Sequence, residues 1–496
     1  MSIEETIALA IVYAERHLGL DKDDETYFTN LLLGHFGLTA PYEGPIDPAR
    51  AEKMEVPDEI VDSIVDFDVK VRLMDIGEAT RDATWVMGVL SPRPSQVSRV
   101  FAYLKANSSA KATEYLYDLM VKNDYIQKSK VDKNLRWVAS YQDGPALEIS
   151  INLSKPEKDN KDIAKLAHAA PSGYPACFLC KENVGFAGSA THPARENIRV
   201  VPVRLDGGQW YLQYSPYVYY SRHCIVFYEK HVPMAINPHI LRCLFDFVDQ
   251  FPHFFIGSNS DLPIVGGSIL NHEHFQGGGH EMPIMKSKVR AFLPAPGKST
   301  SLAVLDFYDT VLKVYGPSRE EIVSIGSQLI AKWRAYDDPK RGILSHDGEG
   351  LHSTVTPIVR KVGDTYELYL ILRNNRCTKE FPDGLFHAHP EYHYVKKEGI
   401  GLIEAAGLFI LPSRLLRQGK EAEECVEKKL SFEECLALYP DLKPFAPMLR
   451  DMKENGASVR QHLSEVCQRI LRNVGVYKDT PDGQEALRLF VKGALE

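Results

Sequence analysis

The chain has 496 residues, a formal net charge of −8 and a charged fraction of 25%. These totals describe an ordinary globular protein of two to four folding units, and the acidic balance argues against generic nucleic-acid binding, which shows as a basic surplus. The eight cysteines are too sparse for a disulfide scaffold.

The N-terminal MSIEETIALAIVYAERHLGL has early acids and an amphipathic pattern, so neither an export signal nor a membrane span is expected, and a cytoplasmic location follows. Residues 1–135 are predicted to be mostly helical. TIALAIVYAERHL and DEIVDSIVDFDVKVRLMDI place apolar residues at helical spacing, and SPRPSQVSRVFAYLKANSSAKATEYLYDLMVKN reads as a Ser/Pro-marked start followed by two helices. ALEISINLS alternates and predicts a strand; KPEKDNKDIAKLAHAA follows as a basic, then helical, segment. YPACFLCKEN reads as a tight knuckle. NIRVVPVRL, QWYLQYSPYVYY and HCIVFYEKH read as strands, and NPHILRCLFDFVDQFPHF as a helix with one buried face. FFIGSN, PIVGGSILNHEHFQGG and VRAFLPAP return to strand character, and LAVLDFYDTVLKVYG through TYELYLILRNN opens a second unit of the same kind. FHAHPEYH reads as a strand on which His387 and His389 share a face, joined by His393 if the strand runs on. This order suggests an antiparallel α+β fold rather than a doubly wound sheet. The expected organisation is a helical region 1–135, α+β halves at 136–290 and 291–415, and a helical tail 416–496.

The most informative stretch is GGSILNHEHFQGGGHE, residues 266–281. On a strand, His272, His274 and Gln276 point the same way. The flanking glycines let a ligand approach the backbone, whose amides can hold phosphate oxygens. A neutral imidazole facing a phosphate suits nucleophilic phosphoryl or nucleotidyl transfer through a covalent phosphoramidate, with nearby donors stabilising the transition state. The plain alternative is a pair of half-buried strand histidines. Cys177 and Cys180 form a C-x2-C pair that grips one side of a tetrahedral zinc, or else two buried thiols in a turn.

These residues resemble the His-x-His-x-Gln site of the galactose-1-phosphate uridylyltransferase family, a branch of the histidine-triad superfamily, and most closely its second class, typical of bacilli and lactobacilli. FIGSNSDLPIVGGSILNHEHFQGGGHEMPI, LEISINLSKPEKD, YPACFLCKEN, YSPYVYYSRHCIVF and KKEGIGLIEAAGLFILPSRL carry the resemblance over nearly the whole chain. It implies HIT-like antiparallel sheets with packed helices in two related halves. It also implies a ping-pong exchange: UDP-glucose donates uridylyl to a histidine, and galactose 1-phosphate then takes it. The nucleophile falls on His274 and the phosphate-binding glutamine on Gln276, where histidine-triad hydrolases have a third histidine. Asn259, Gly267 and Ser268 match positions that contact the nucleotide phosphates. The family's zinc knuckle implies Cys177, Cys180, His231 and His272 as ligands of a structural zinc. Lys155 and Lys158, with Lys161, fall on a basic loop near the substrate phosphates, or form a solvated turn. Glu404 matches a segment that binds hexose hydroxyls. Tyr214 to Tyr220 either wall the uracil or belong to the core. The cluster of His387, His389 and His393 matches one that binds a second metal or contacts the other subunit in the family, or is a plain core cluster, and no metal is assigned to it. A homodimer is expected. The alternatives are a dinucleoside polyphosphate phosphorylase or hydrolase of the same superfamily, and a non-catalytic sugar-nucleotide-binding protein.

Overall fold

The computed structural model describes residues 1–153, 173–189, 192–267, 269–348 and 350–496. Lys155, Lys158, Lys161 and Ser268 lie outside the described residues. Helices fill the N-terminal region up to Val131. The expected pair in the SPRPSQ segment is present as Pro94–Asn107 and Ser109–Lys122, with proline at the start of the first and the Ser108 hydroxyl capping the second. A hairpin of β1 (Leu135–Tyr141) and β2 (Gly144–Asn152) follows.

The central sheet is built from two stretches with the same order of strands. β3 (Val201–Leu205), β4 (Gly208–Tyr214) and β5 (Cys224–Tyr228) form a meander. Helix Pro238–Gln250 follows, then β6 (Phe255–Gly257) and β7 (His274–Gly278). β8 (Val289–Leu293), β9 (Ser301–Leu305) and β10 (Val311–Gly316) form a second meander, followed by helix Arg319–Arg334. A two-residue-stranded hairpin, β11 (His346–Asp347) and β12 (Gly350–Leu351), precedes β13 (Ser353–Val362) and β14 (Thr365–Asn374). The order across the sheet is β3-β4-β5-β7-β6-β13-β14-β10-β9-β8. In each half the last strand inserts between the third and the fourth, and the halves meet through their fourth strands, β6 and β13. Every pairing in this sheet is antiparallel, as the strand–helix–strand order predicts. A parallel pairing joins β15 (Leu408–Pro412) to β2 in a separate three-stranded sheet.

Two apolar cores lie on opposite faces of the sheet. On one face the helices Pro238–Gln250 and Arg319–Arg334 share a core with the N-terminal helices. The N-terminal region is tied there by buried polar bonds as well. Asn123 and Asn197 each donate to the other's carbonyl, at 2.6 and 3.0 Å. The Arg199 guanidinium donates to the Gly88 and Pro92 carbonyls at the end of helix Ile76–Leu90. The other face packs β2, β15 and the helices between Arg414 and Val474. No helix among the described residues is long and apolar enough to cross a membrane.

Two expected strands form only in part or not at all. Of the described residues of PIVGGSILNHEHFQGG only His274–Gly278 form a strand, so His272 lies outside it; Gly266 makes a lone bridge to Ser260 and packs against the Ser260 and Leu262 carbonyls, where no side chain fits. His387, His389 and His393 sit in a loop and a short 3-10 turn. Each ring bonds to nearby backbone (His387 at Ile400 N–H, His389 at the Leu385 carbonyl, His393 at the Ala388 carbonyl), so local turns replace the strand ladder.

Asp309, just before β10, is buried with no hydrogen-bond partner for either carboxylate oxygen. Burial pushes its pKa up to about 8, against the pull of Arg373. An unfolded aspartate titrates near 4, at about 3.9. The native state therefore holds an extra proton between these values, and stability falls as pH rises from about 4 to about 8. Asp309→Asn is expected to raise the calorimetric unfolding temperature by several degrees at pH 8.5 and by clearly less at pH 5. An equal shift at both values would mean that Asp309 is already ionised at pH 5.

Candidate functional site

The C-x2-C knuckle is built by short-range bonds. Cys180 N–H donates to the Cys177 carbonyl, and the buried Asn183 amide donates to the carbonyls of Cys177 and Cys180, each at 2.8 Å. Two distant residues complete the group. The chain after β5 runs beside the chain before β7, with Tyr228 N–H bonded to the Glu273 carbonyl and Glu273 N–H to the Val232 carbonyl. That pairing puts His231 and His272 4.9 Å apart, centre to centre. Cys177 Sγ is 3.5 Å from Cys180 Sγ and 3.2 Å from His272 Nδ1, while Cys180 Sγ is 3.1 Å from His231 Nδ1. A tetrahedron with zinc–sulfur bonds of about 2.3 Å and zinc–nitrogen bonds of about 2.0–2.1 Å has edges of roughly 3.3–3.8 Å. The four ligand atoms all lie within 4.8 Å of one another and fit a metal ion such as zinc. His272 is already in the right tautomer. Its Nε2–H donates to the Tyr228 carbonyl at 2.8 Å, which leaves the Nδ1 lone pair on the cysteine side.

β7 carries the second group. Gln276 pairs with Ile225 on β5 and Gly257 on β6, and His274 pairs with Phe227. Between them Phe275 turns to the other face and stacks on Trp210 at 4.6 Å, a contact worth about 0.5–1.5 kcal/mol beyond its buried area. This alternation, anchored by Phe275 in the helix-side core, puts His274 and Gln276 on one face. His274 is buried, and burial holds its imidazole down at about 4, hence neutral. Its Nδ1 lies 2.8 Å from the His272 carbonyl, which can only accept. The proton is therefore on Nδ1, and the lone pair that can attack is on Nε2. Asn259 lies two residues beyond Gly257. Its Oδ1 accepts from Leu402 N–H at 2.9 Å, and its Nδ2 lies against Gly267, where a Cβ would be 2.6 Å away. The glycine frame proves mixed. Gly266 and Gly278 are packed by carbonyls of the chain itself, and only Gly267 makes room at Asn259.

A four-ligand group that fits a metal beside a buried imidazole agrees with the expected placement of these residues; comparison with known proteins shows the family. The family model for the N-terminal domain of galactose-1-phosphate uridyl transferase matches residues 47–233. The galactose-1-phosphate uridylyltransferase of Caldanaerobacter subterraneus subsp. tengcongensis is 40% identical over 488 residues, covering 94% of this chain and 93% of the relative. That of Bacillus subtilis is 40% identical over 507 residues, covering 99% and 98%. The chain belongs to the galactose-1-phosphate uridylyltransferase family. Among solved structures, yeast Ap4A phosphorylase Apa2 overlaps 71% of this chain and 95% of its own, with 9% identity and a TM-score of 0.36, a likeness too distant to carry a functional comparison.

Within this uridylyltransferase the segment that carries Glu404 is bonded to Asn259. Residues 399–404 are held by Asn259 on Leu402, by His387 on Ile400 N–H at 3.3 Å and by Arg373 on the Ile400 carbonyl at 2.7 Å. Glu404 is buried, and one of its oxygens accepts from Lys396 at 3.0 Å. Burial opposes the Lys396 charge, but Glu404 and Glu398 outweigh it and hold the ammonium above its ordinary value. Breaking such a buried pair costs about 3–5 kcal/mol, so Glu404 is fixed rather than free to turn. Tyr214 and Tyr220 are core residues, the first donating to the Thr113 carbonyl. The half-buried Tyr217 and Tyr219 stack on each other at 6.0 Å. The metal-ligand group is the one such convergence among the described residues; His387, His389 and His393 form none.

Sequence reasoning passed over Asn183, His223, Arg373 and Lys396. Asn183 carries a local signal, three residues after Cys180 in CKEN. The other three meet their partners only through the fold.

Proposed function

We propose that His274 Nε2 carries the uridylyl group in the uridylyltransferase reaction of this chain, a nucleotidyltransferase of galactose metabolism. UDP-glucose places its α-phosphorus against Nε2. The P–Nε2 bond forms as the bond to the bridging oxygen breaks, and glucose 1-phosphate leaves with the electron pair. A phosphate oxygen of galactose 1-phosphate then displaces the histidine and gives UDP-galactose. The observation that carries the reading is the His274 Nδ1–H bond to the His272 carbonyl, which leaves Nε2 as the free lone pair. The Gln276 and Asn259 amides act as donors to the phosphate oxygens. Gln276 is no acid or base at neutral pH, so the covalent intermediate waits for a sugar phosphate rather than being handed to water.

Gly267, with Ser268, Lys155 and Lys158, completes the phosphate side of this reading, and Glu404 faces the hexose hydroxyls. A structural zinc would be held by Cys177, Cys180, His231 and His272. With four protein ligands it would leave no open position for substrate, and it would steady the residue whose carbonyl orients His274. A cytosolic homodimer of two HIT-like, duplicated halves per chain belongs to the same reading. The sheet's repeated strand order supports the duplication.

The test is intact mass after mixing with UDP-glucose alone. A gain of one uridylyl group, lost on adding galactose 1-phosphate, is expected. Exchange without any trapped adduct, under conditions that release glucose 1-phosphate, would point to direct transfer between the substrates.

A further inference from the structure

The Gln276 amide has two ends and only one of them can serve a phosphate. Its oxygen would repel the phosphate oxygens, and its NH2 group would donate to them. Nothing in the β7 backbone chooses between the two orientations, because they differ by a half-turn about the last side-chain bond and have nearly the same shape.

His223 makes the choice. It lies one residue before β5, is buried, and its Nε2 is 3.1 Å from Gln276 Oε1. Its other nitrogen, Nδ1, is buried with no hydrogen-bond partner. Burial holds the ring down at about 4, so it is neutral and carries a single proton. Two arrangements are then open. With the proton on Nε2, the ring donates to Gln276 Oε1, and only a lone pair is left unpaired at Nδ1. With the glutamine turned over, its NH2 donates to Nε2, the proton moves to Nδ1, and an N–H is stranded in the interior. An unpaired buried donor is the costlier of the two, at about 1–3 kcal/mol. The first arrangement wins, and it turns the Gln276 NH2 away from His223 toward the side where His274 lies. The ring itself is clamped. Tyr219 stacks on it at 5.3 Å and Tyr220 packs against it at 4.6 Å, while the Tyr220 hydroxyl donates to the Gly277 carbonyl beside Gln276.

We propose that His223 is a positioning residue for uridylyl transfer, which sets the Gln276 carboxamide with its NH2 toward the substrate phosphate. The proposal rests on the reading of Gln276 given above. His223 touches neither substrate nor reacting atom, and it acts only through the glutamine.

The experiment is a double-mutant cycle on single-turnover uridylylation by UDP-glucose. His223→Phe keeps an aromatic ring in the Tyr219–Tyr220 clamp and removes the donor. It is expected to lower the uridylylation rate about tenfold or more with UDP-glucose affinity changed by less than about threefold, because the lost contact strengthens in the transition state. His223→Gln, which keeps an N–H donor near the Nε2 position, is expected to restore most of the rate. In a Gln276→Ala background His223→Phe should have no further effect. An equal loss in both backgrounds, or an undiminished rate in His223→Phe, overturns the proposal while leaving Gln276 in place. If Gln276→Ala itself reacts at the full rate, the reading of Gln276 fails and the proposal falls with it, a pattern distinct from the first two. Should His223→Phe not fold, His223→Asn makes the same comparison against His223→Gln. It is polar but places its donor near the Nδ1 position, so it should lose the rate that His223→Gln keeps.

Discussion

His274→Ala is expected to lower uridylyl exchange by at least about four orders of magnitude and to leave UDP-glucose affinity within about threefold. The two halves of this expectation have separate causes. The rate depends on a covalent intermediate, and removing the nucleophile removes the only route through it. In the proposed reading, binding rests on groups that the substitution leaves in place, namely Asn259, Gly267 and Gln276. The cavity left by the imidazole is bordered by Phe227, held by the β5–β7 pairing, and by the His272 carbonyl, steadied by the Glu273 bonds to Tyr228 and Val232, so the strand should not rearrange. Intact mass should show no adduct, and titration calorimetry should show UDP-glucose bound much as before. A variant that still forms the adduct would move the nucleophile elsewhere. A variant that loses binding altogether would make His274 a ligand contact rather than the attacking group.

The second large effect concerns the metal. The purified protein is expected to hold about one zinc per chain by elemental analysis, and the Cys177→Ser, Cys180→Ser double variant none. The ligands come from three separate segments, 177–180, 231 and 272, and an unfolded chain cannot present them together. The ion therefore binds the native state alone and stabilises it. Burial and the neighbouring Cys177 thiol push Cys180 up to about 12. Without a cation only weak contacts of the two sulfurs with each other and with the imidazoles join the four side chains. We expect the double variant to unfold about 10 °C lower, and its adduct formation to drop at least about tenfold at temperatures where it remains folded. The loss of rate follows from geometry. A bound metal would fix the His272 ring, and the same residue's carbonyl accepts the His274 Nδ1–H, the bond that keeps the lone pair on Nε2. Zinc-free protein with full stability and full rate would reduce the cluster to two thiols and two histidines in a turn.

Much of this was legible in the residue order. Helices and strands are read from patterns of period 3.6 and 2, which involve neighbours a few positions apart. The N-terminal helices, the two meanders and the one-sided helix Pro238–Gln250 carry such patterns. The His-x-His-x-Gln run and the C-x2-C pair are equally local, and their order along the chain carries the family resemblance that the full-length relatives bear out. Local pattern also misled. The glycines of residues 266–279 suggested room for a ligand, whereas Gly266 and Gly278 make room for the chain itself. The alternating histidines of FHAHPEYH suggested a strand, but their rings bond to turns of their own loop.

The sequence by itself determined which chemistry is present: a neutral imidazole and an amide spaced to share one strand face, with thiols spaced to grip a metal. The tertiary structure alone decided how that chemistry is aimed. Which nitrogen of His274 is free depends on the carbonyl of His272. Which way Gln276 faces depends on His223, 53 positions away. Where Glu404 sits depends on Lys396, Arg373 and the edge-to-edge joining of β6 with β13. A hydrogen bond needs its partner within about 3 Å and in line; for His223 and Gln276, or Arg373 and Ile400, only the fold brings them within that distance, and for His274 and His272, two residues apart, the backbone path into β7 does so.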